Sequence, residues 1–264
     1  MRSRSSRAAL AAFLILILAG VPASFAAPAA AAPAAAAPDF KAMLEKLDAI
    51  DDFTGSDFSG VFTIVSDKPG EKQSVNQVRM FRRDEKKQFL MLIQLPEASK
   101  GQGYLKEGDN MWFYDPTSRK FSHSSMKEAI GGSEAKNEDF GQKKILDDYD
   151  IEKTSEGAIG KFPVWIVGLK AKTGEASYDR INLYIRKDQT LILKEEDYGA
   201  SGRIMRTTLY PKYAEVAKGK FFPSQMLIVD EINKGEKSQI TMTEISVERL
   251  PDKVFTKAFV EQVN

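Results

Sequence analysis

After Gly55 the spacing of apolar residues changes from a helical period to a period of two, and the alternation runs, with one interruption, almost to the end of the chain. Before the change, Phe40, Met43, Leu44, Leu47 and Ile50 form one stripe of an amphipathic helix, with Asp39 placed to cap its N-terminus. After it, strands are predicted over 58–66, 73–83, 88–95, 103–106, 111–114 and 120–123, joined by turns such as Lys68-Pro69-Gly70-Glu71 and Glu107-Gly108-Asp109-Asn110. Phe89, Met91, Ile93 and Leu95 share one face of the third strand and Leu90 and Leu92 the other, so this strand is expected to be covered on both sides and to end at Pro96. Residues 124–149 break the rhythm with Gly131-Gly132, mixed charges and few apolar side chains, as a lid or mobile loop does. Strands resume over 162–169, 180–186, 191–198, 203–210, 222–230 and 238–247. About a dozen strands in series, with helices confined to the first turns, the middle segment and 251–262, predict a mainly β domain: a single curved antiparallel sheet that curls into an open or closed barrel.

The N-terminus carries a different message. Arg2, Arg4 and Arg7 precede an apolar run over 8–21, and Ser24-Phe25-Ala26 supplies small residues before a cleavage point, so 1–26 reads as a secretory signal peptide cleaved after Ala26. Residues 27–38 contain only Ala and Pro and read as a tether, leaving 39–264 as one domain. Loss of the three arginines takes the formal charge of the chain from +1 to −2, which argues against a nucleic-acid partner. With no cysteine, disulfides, thiol catalysis and a lipidated N-terminal cysteine are excluded, and the single histidine, His123, leaves no multi-His metal site. No cofactor is expected. His123 has no Ser or Asp partner at motif spacing and is read as an ordinary loop residue. The acidic pairs Asp51-Asp52, Asp147-Asp148 and Glu195-Glu196 point their two members in different directions and are read as solvated surface.

Gly101-Gln102-Gly103-Tyr104-Leu105 followed by Gly108-Asp109-Asn110-Met111-Trp112-Phe113-Tyr114-Asp115-Pro116 resembles the LolA-like outer-membrane lipoprotein-sorting proteins, in which a Gly-Asp-type turn leads into a Leu-Trp-x-Tyr-x-Pro strand. Asp139-Phe140, the strand from Tyr178 to Lys187, Phe222-Pro223-Ser224 and the closing Pro251-Asp252-Lys253-Val254-Phe255-Thr256 are similar to elements that follow in the same order in that family, so the resemblance covers about 58–259. Residues 131–137 depart from the family's Arg-rich stretch.

The resemblance implies a half-open barrel covered by helices, enclosing an apolar cavity that shields acyl chains in the periplasm. Burial is worth about 0.8 kcal/mol per methylene, so exposing one 16-carbon chain to water costs on the order of 12 kcal/mol. Nine methionines and sixteen phenylalanines suit a wall that repacks around such a chain. The candidate lining is the alternating face: Phe62 and Ile64; Val78 and Met80; Phe89, Met91 and Ile93; Leu183 and Ile185; Leu193; Met226 and Ile228. Periodicity alone favours a dry core, and it is the resemblance that turns the reading toward a cavity lining. Trp112 and Tyr114 are candidates for the cavity mouth or for plain hairpin aromatics. Arg82, first of the pair Arg82-Arg83, is either a solvated charge at a strand end or, as the resemblance implies, a lid contact that bonds carbonyls of the covering helices.

The function expected is therefore a monomeric periplasmic carrier that takes the acyl chains of a lipoprotein or phospholipid from an inner-membrane exporter to an outer-membrane acceptor. The alternative is a non-catalytic envelope sensor, or an accessory subunit of a membrane exporter, on the same fold.

Overall fold

The computed structural model describes residues 38–263, so the segment read as an export signal, and all but the last residue of the Ala/Pro stretch read as a tether, lie outside the described residues. Helix α1 (Phe40–Ile50) is capped as its sequence requires, the Asp39 carboxylate accepting the Ala42 N–H at 3.1 Å. A meander follows: β1 (Phe58–Asp67), β2 (Ser74–Arg83), β3 (Gln88–Leu95), β4 (Gly103–Glu107), β5 (Asn110–Asp115) and β6 (Lys120–His123). After an irregular segment with one short helix, α2 (Ile145–Asp148), come β7 (Tyr149–Ile159), β8 (Phe162–Ala171), β9 (Arg180–Arg186), β10 (Ile192–Tyr198), β11 (Ile204–Ala217), β12 (Lys220–Asp230) and β13 (Lys237–Ser246), and the chain closes with α3 (Lys257–Gln262).

All thirteen strands form one antiparallel sheet in the order β6-β5-β4-β3-β2-β1-β13-β12-β11-β10-β9-β8-β7. The meander and the second run of strands meet where β1 pairs with β13, with Ile64 opposite Ile240 and Phe62 opposite Met242. β6 and β7 are the two edges and do not pair with each other, so the curved sheet stays open.

Two strands depart from expectation. β7 starts on the last residue of the segment read as irregular and runs through residues given no strand, because its side chains are mostly exposed and polar and it borders the sheet with β8 alone. β11 runs on to Ala217, since bulges after Leu209 shift its register and erase the two-residue rhythm.

The inner face of the sheet carries the main core. Leu44 and Leu47 of α1 are buried on it, together with Ile130, Ala135, Phe140 and Ile145 from the irregular segment. That segment is thus packed onto the sheet rather than free, its ring Phe140 lying 4.6 Å from Phe62. At its bend Gly131 has φ +56°, and any Cβ there would lie 2.2 Å from Asn76 Oδ1. The outer face has its own smaller core, in which Leu90, Leu105 and Tyr114 are covered by Val254, Phe255 and Val260 of the C-terminal segment. β3 is accordingly buried on both faces, as its unbroken apolar run predicts. Among the described residues no helix is long and apolar enough to cross a membrane.

Candidate functional site

The inner wall is built by strand alternation. Phe62, Ile64, Val78, Met80, Phe89, Met91, Ile93, Leu183, Ile185, Met226 and Ile228 all point to one face and belong to one buried cluster. The sheet register makes them neighbours: Phe62 lies opposite Val78, Val78 opposite Ile93, Met80 opposite Met91, and Met226 opposite Ile240. Much of this wall is covered by α1 and the 124–149 segment. Where the cover leaves the sheet, between β9, β10 and β11 and residues 125–149, a cavity of about 320 Å³ opens, with Ile181, Leu183 and Ile192 on its apolar side. A smaller hollow of about 70 Å³ beneath α1 shares Lys143, Ile145 and Ile192 with it. The larger volume lies at the lower end of the ~300–1,000 Å³ usual for small-molecule sites.

Three candidate lining residues are placed elsewhere. Leu193 sits at the bulge between Ile192 and Lys194, half-buried and outside the core cluster, and Ile192 takes the inward position opposite Ile185. Trp112 and Tyr114 are on the outer face rather than at a cavity mouth. Tyr114 joins the C-terminal core, while Trp112 stacks on His123 at 4.3 Å and carries the Lys257 ammonium of α3 3.5 Å above its ring. Met111 and Phe113 face inward in their place, the one-residue step that reverses every side chain of a strand.

Arg82 is buried, which removes the reading of a solvated strand-end charge. Its guanidinium donates to the Phe140 carbonyl at 3.3 Å and to the Asp51 carbonyl that ends α1, and forms ion pairs with Asp84 at 2.8 Å and Asp51 at 3.1 Å. The rings of Phe53 and Phe58 flank it at 5.0 and 5.7 Å. Asp84 also accepts the Phe53 N–H at 2.8 Å. Burial pushes the Asp51 carboxyl up, and Arg82 opposes that shift. Arg83, the next residue, points to the outer face and holds Asp57 by two bonds of 2.9 and 2.8 Å, the Leu250 carbonyl and Asp252. One arginine ties the inner cover to the sheet, and its neighbour ties down the C-terminal segment.

Polar ties also join the cover to the floor of the cavity. Lys143 pairs with Glu195 at 3.2 Å, Arg206 with Asp139 at 2.7 Å, and the Tyr210 hydroxyl donates to Glu195 at 3.0 Å. Burial opposes ionisation of Glu195, but Lys143 and Arg206 outweigh it and hold the carboxyl below its ordinary range. Sequence reasoning missed this cluster. Glu195 and Glu196 do point in opposite directions, but neither is solvated: Glu196 is buried on the other face, accepting from Tyr184 at 2.9 Å and Tyr198 at 2.7 Å. Their signal was three acidic residues, 195–197, on a strand with little other polarity on its inner side. Glu134, Asp230 and Glu236 also lie together, but Lys68 reaches into that group, 3.0 Å from Glu236 and 3.8 Å from Glu134, where a cation would sit.

A family described as an uncharacterized protein matches residues 85–262. No curated protein matches the sequence. Among solved structures, a LolA superfamily protein from Nitrosomonas europaea is 21% identical, aligns over 84% of this chain and 100% of its own, and superposes with a TM-score of 0.72. An outer-membrane lipoprotein-sorting protein domain from Vibrio parahaemolyticus is 16% identical over 83% of this chain and 97% of its own, with a TM-score of 0.73. A DUF1329 family protein from Desulfovibrio piger is 22% identical over 83% and 98%, with a TM-score of 0.71. The agreement lies in the fold, and it extends over nearly the whole described domain.

Proposed function

Because the chain belongs to the family whose model spans residues 85–262, and shares its fold with the LolA-like outer-membrane lipoprotein-sorting proteins, we propose that it is a periplasmic carrier that shields the acyl chains of a lipoprotein or phospholipid. The observation that carries this reading is the cavity of about 320 Å³ at the edge of a continuous apolar wall, under a cover made of α1 and the 124–149 segment. Cargo enters at Ile181, Leu183 and Ile192 and gains room by displacing Phe140 and its neighbours from the wall. Arg82 governs that displacement, because its bonds to the Asp51 and Phe140 carbonyls join both halves of the cover to β2. Such a protein passes its cargo from an inner-membrane exporter to an outer-membrane acceptor, and its work is binding rather than catalysis. His123, engaged with Trp112 on the outer face, lies away from the hollow.

The test is uptake of a fluorescent fatty-acid reporter by the mature protein. Ile181→Trp, which fills the cavity from β9, is expected to weaken reporter binding by about tenfold while keeping the thermal transition, since a single indole added at a partly open site is accommodated without repacking the sheet. Equal binding by the variant and the parent would remove the cavity from the proposed path.

A further inference from the structure

The two hollows of the inner face are neighbours. Asp139, Lys143, Ile145 and Ile192 line both, so these four residues are the wall between them. Half of that wall is polar and held, Asp139 by Arg206 at 2.7 Å and Lys143 by Glu195 at 3.2 Å. The other half is apolar: Ile145 at the head of α2 and Ile192 at the start of β10. Both are anchored through the backbone, the Ile145 N–H donating to Asp48 at 3.1 Å and the Ile192 carbonyl accepting the Tyr213 hydroxyl at 2.8 Å, and neither bond restrains the side chain. The hollows differ in kind. Of the twenty residues around the larger, nine are charged. Among the ten that line the smaller alone, only Asp48 and Asp51 are charged, and both are engaged, Asp48 with the Ile145 N–H and Asp51 with Arg82; its apolar surface comes from Leu47 and Ile50 of α1, Leu191, and the rings of Phe221 and Phe222. A methylene chain lying wholly in the larger hollow would run beside charged groups, so burial favours carrying its end into the smaller one. Gly141, next to Phe140, lines the smaller hollow too, and the Phe222 ring lies 6.1 Å from that of Phe62, so the room opened by displacing Phe140 adjoins it.

We propose, resting on the carrier reading, that Ile145 and Ile192 form a passage through which an acyl chain runs from the larger hollow, which keeps its head, to the smaller hollow beneath α1, which takes its methyl end, and that this passage sets the length of chain the protein holds best. The smaller hollow, about 70 Å³, has room for about five groups the size of water or a methylene, at ~10–15 Å³ each. Each methylene moved there from water tightens binding about fourfold. A chain that ends at Ile145 and Ile192 gains nothing from the smaller hollow, and a longer one gains with every carbon that passes them. The two isoleucines are thus specificity-determining residues, and what they select is chain length.

The experiment is displacement of a fluorescent fatty-acid reporter from the protein by octanoate, dodecanoate, hexadecanoate and eicosanoate, which share a head and differ in length. Ile192→Phe narrows the passage, and Leu191→Trp, at a residue that lines only the smaller hollow, fills that hollow from its own wall. Each variant is expected to leave octanoate within about twofold of the parent and to weaken eicosanoate by at least about tenfold, the loss of two or more methylenes at about fourfold each, so that the rise of affinity with length stops at a shorter chain. Ile192 also packs in the inner core, so Leu191→Trp alone decides if Ile192→Phe does not fold. The same rise with length in the parent and the variants overturns the proposal, as does an equal loss at every length, the mark of a general disturbance of the site. If the parent binds none of the four acids, the carrier reading fails with it; if it binds them and the variants follow its profile, only the passage fails.

Discussion

Arg82 concentrates more of the structure's electrostatics than any other inward-facing side chain of β2, because it satisfies two carboxylates and two carbonyls from one buried position. Removing it strands Asp51 and Asp84, and Arg82→Ala is expected to cost about 3–5 kcal/mol, the usual penalty for breaking a buried ion pair from one side. Urea unfolding would measure it; a loss below about 1 kcal/mol would place the guanidinium in a solvent-like setting. Lysine is no substitute, since it lacks the planar fork that reaches carbonyl and carboxylate together. Asp48 makes a second residue-level claim. Its carboxylate accepts the Ile145 N–H at 3.1 Å, joining α1 to α2, and burial raises its pKa from 3.8 to about 6. The folded state therefore keeps a proton that the unfolded chain has released, so the stability this group contributes is full below about pH 4 and is lost as pH rises through about 6. Asp48→Asn keeps an acceptor and cannot ionise, so its melting temperature should gain on that of the parent across this interval. A difference independent of pH would contradict the shift. The identities of Arg82 and Asp48 are legible in the sequence, but their partners are not: Asp51 and Arg82 are 31 residues apart, and Ile145 and Asp48 are 97.

At the scale of elements, strands with one dry and one wet face are the readable ones. β1, β2 and β12 alternate because each is held between two neighbours with a core on at least one side, whereas β3 is readable from its apolar run, being covered on both faces. β7 has a single neighbour and mostly exposed side chains, so no apolar pattern is required of it and none is present. In β5, Met111-Trp112-Phe113-Tyr114 is apolar at every position, and period alone does not choose a face. The choice is made by α3 and the C-terminal segment, which cover Tyr114 and Trp112 from outside. That segment is an element in its own right: Phe255 is fully buried against Leu90 and Leu105, and the Arg83 guanidinium lies 4.8 Å from its ring. Phe255→Ala is expected to destabilise by about 3–5 kcal/mol through the cavity it leaves, and thermal unfolding would register it. A change within about 1 kcal/mol would mean that the outer core adds little to the sheet.

For the whole molecule, the sequence carries the class and size of the sheet, because a long series of short alternating strands has few ways to bury its apolar face. Whether that face holds side chains or cargo was open in the sequence, and the reason is physical. The volume depends on how closely α1 and residues 124–149 press on the wall, and their contacts are made by residues such as Ile130, Phe140 and Ile145, scattered through a segment with no period of its own. The structure has both conditions side by side, a packed centre under Phe140 and an open cavity toward β9–β11. The central claim is that the wall receives acyl chains when the cover moves. Its most direct test is denaturing extraction and mass spectrometry of the protein purified from cells without detergent. The account predicts an acyl-bearing species at near one per protein, lost in Ile181→Trp; protein free of acyl species, and unable to take them up from phospholipid vesicles, would contradict it.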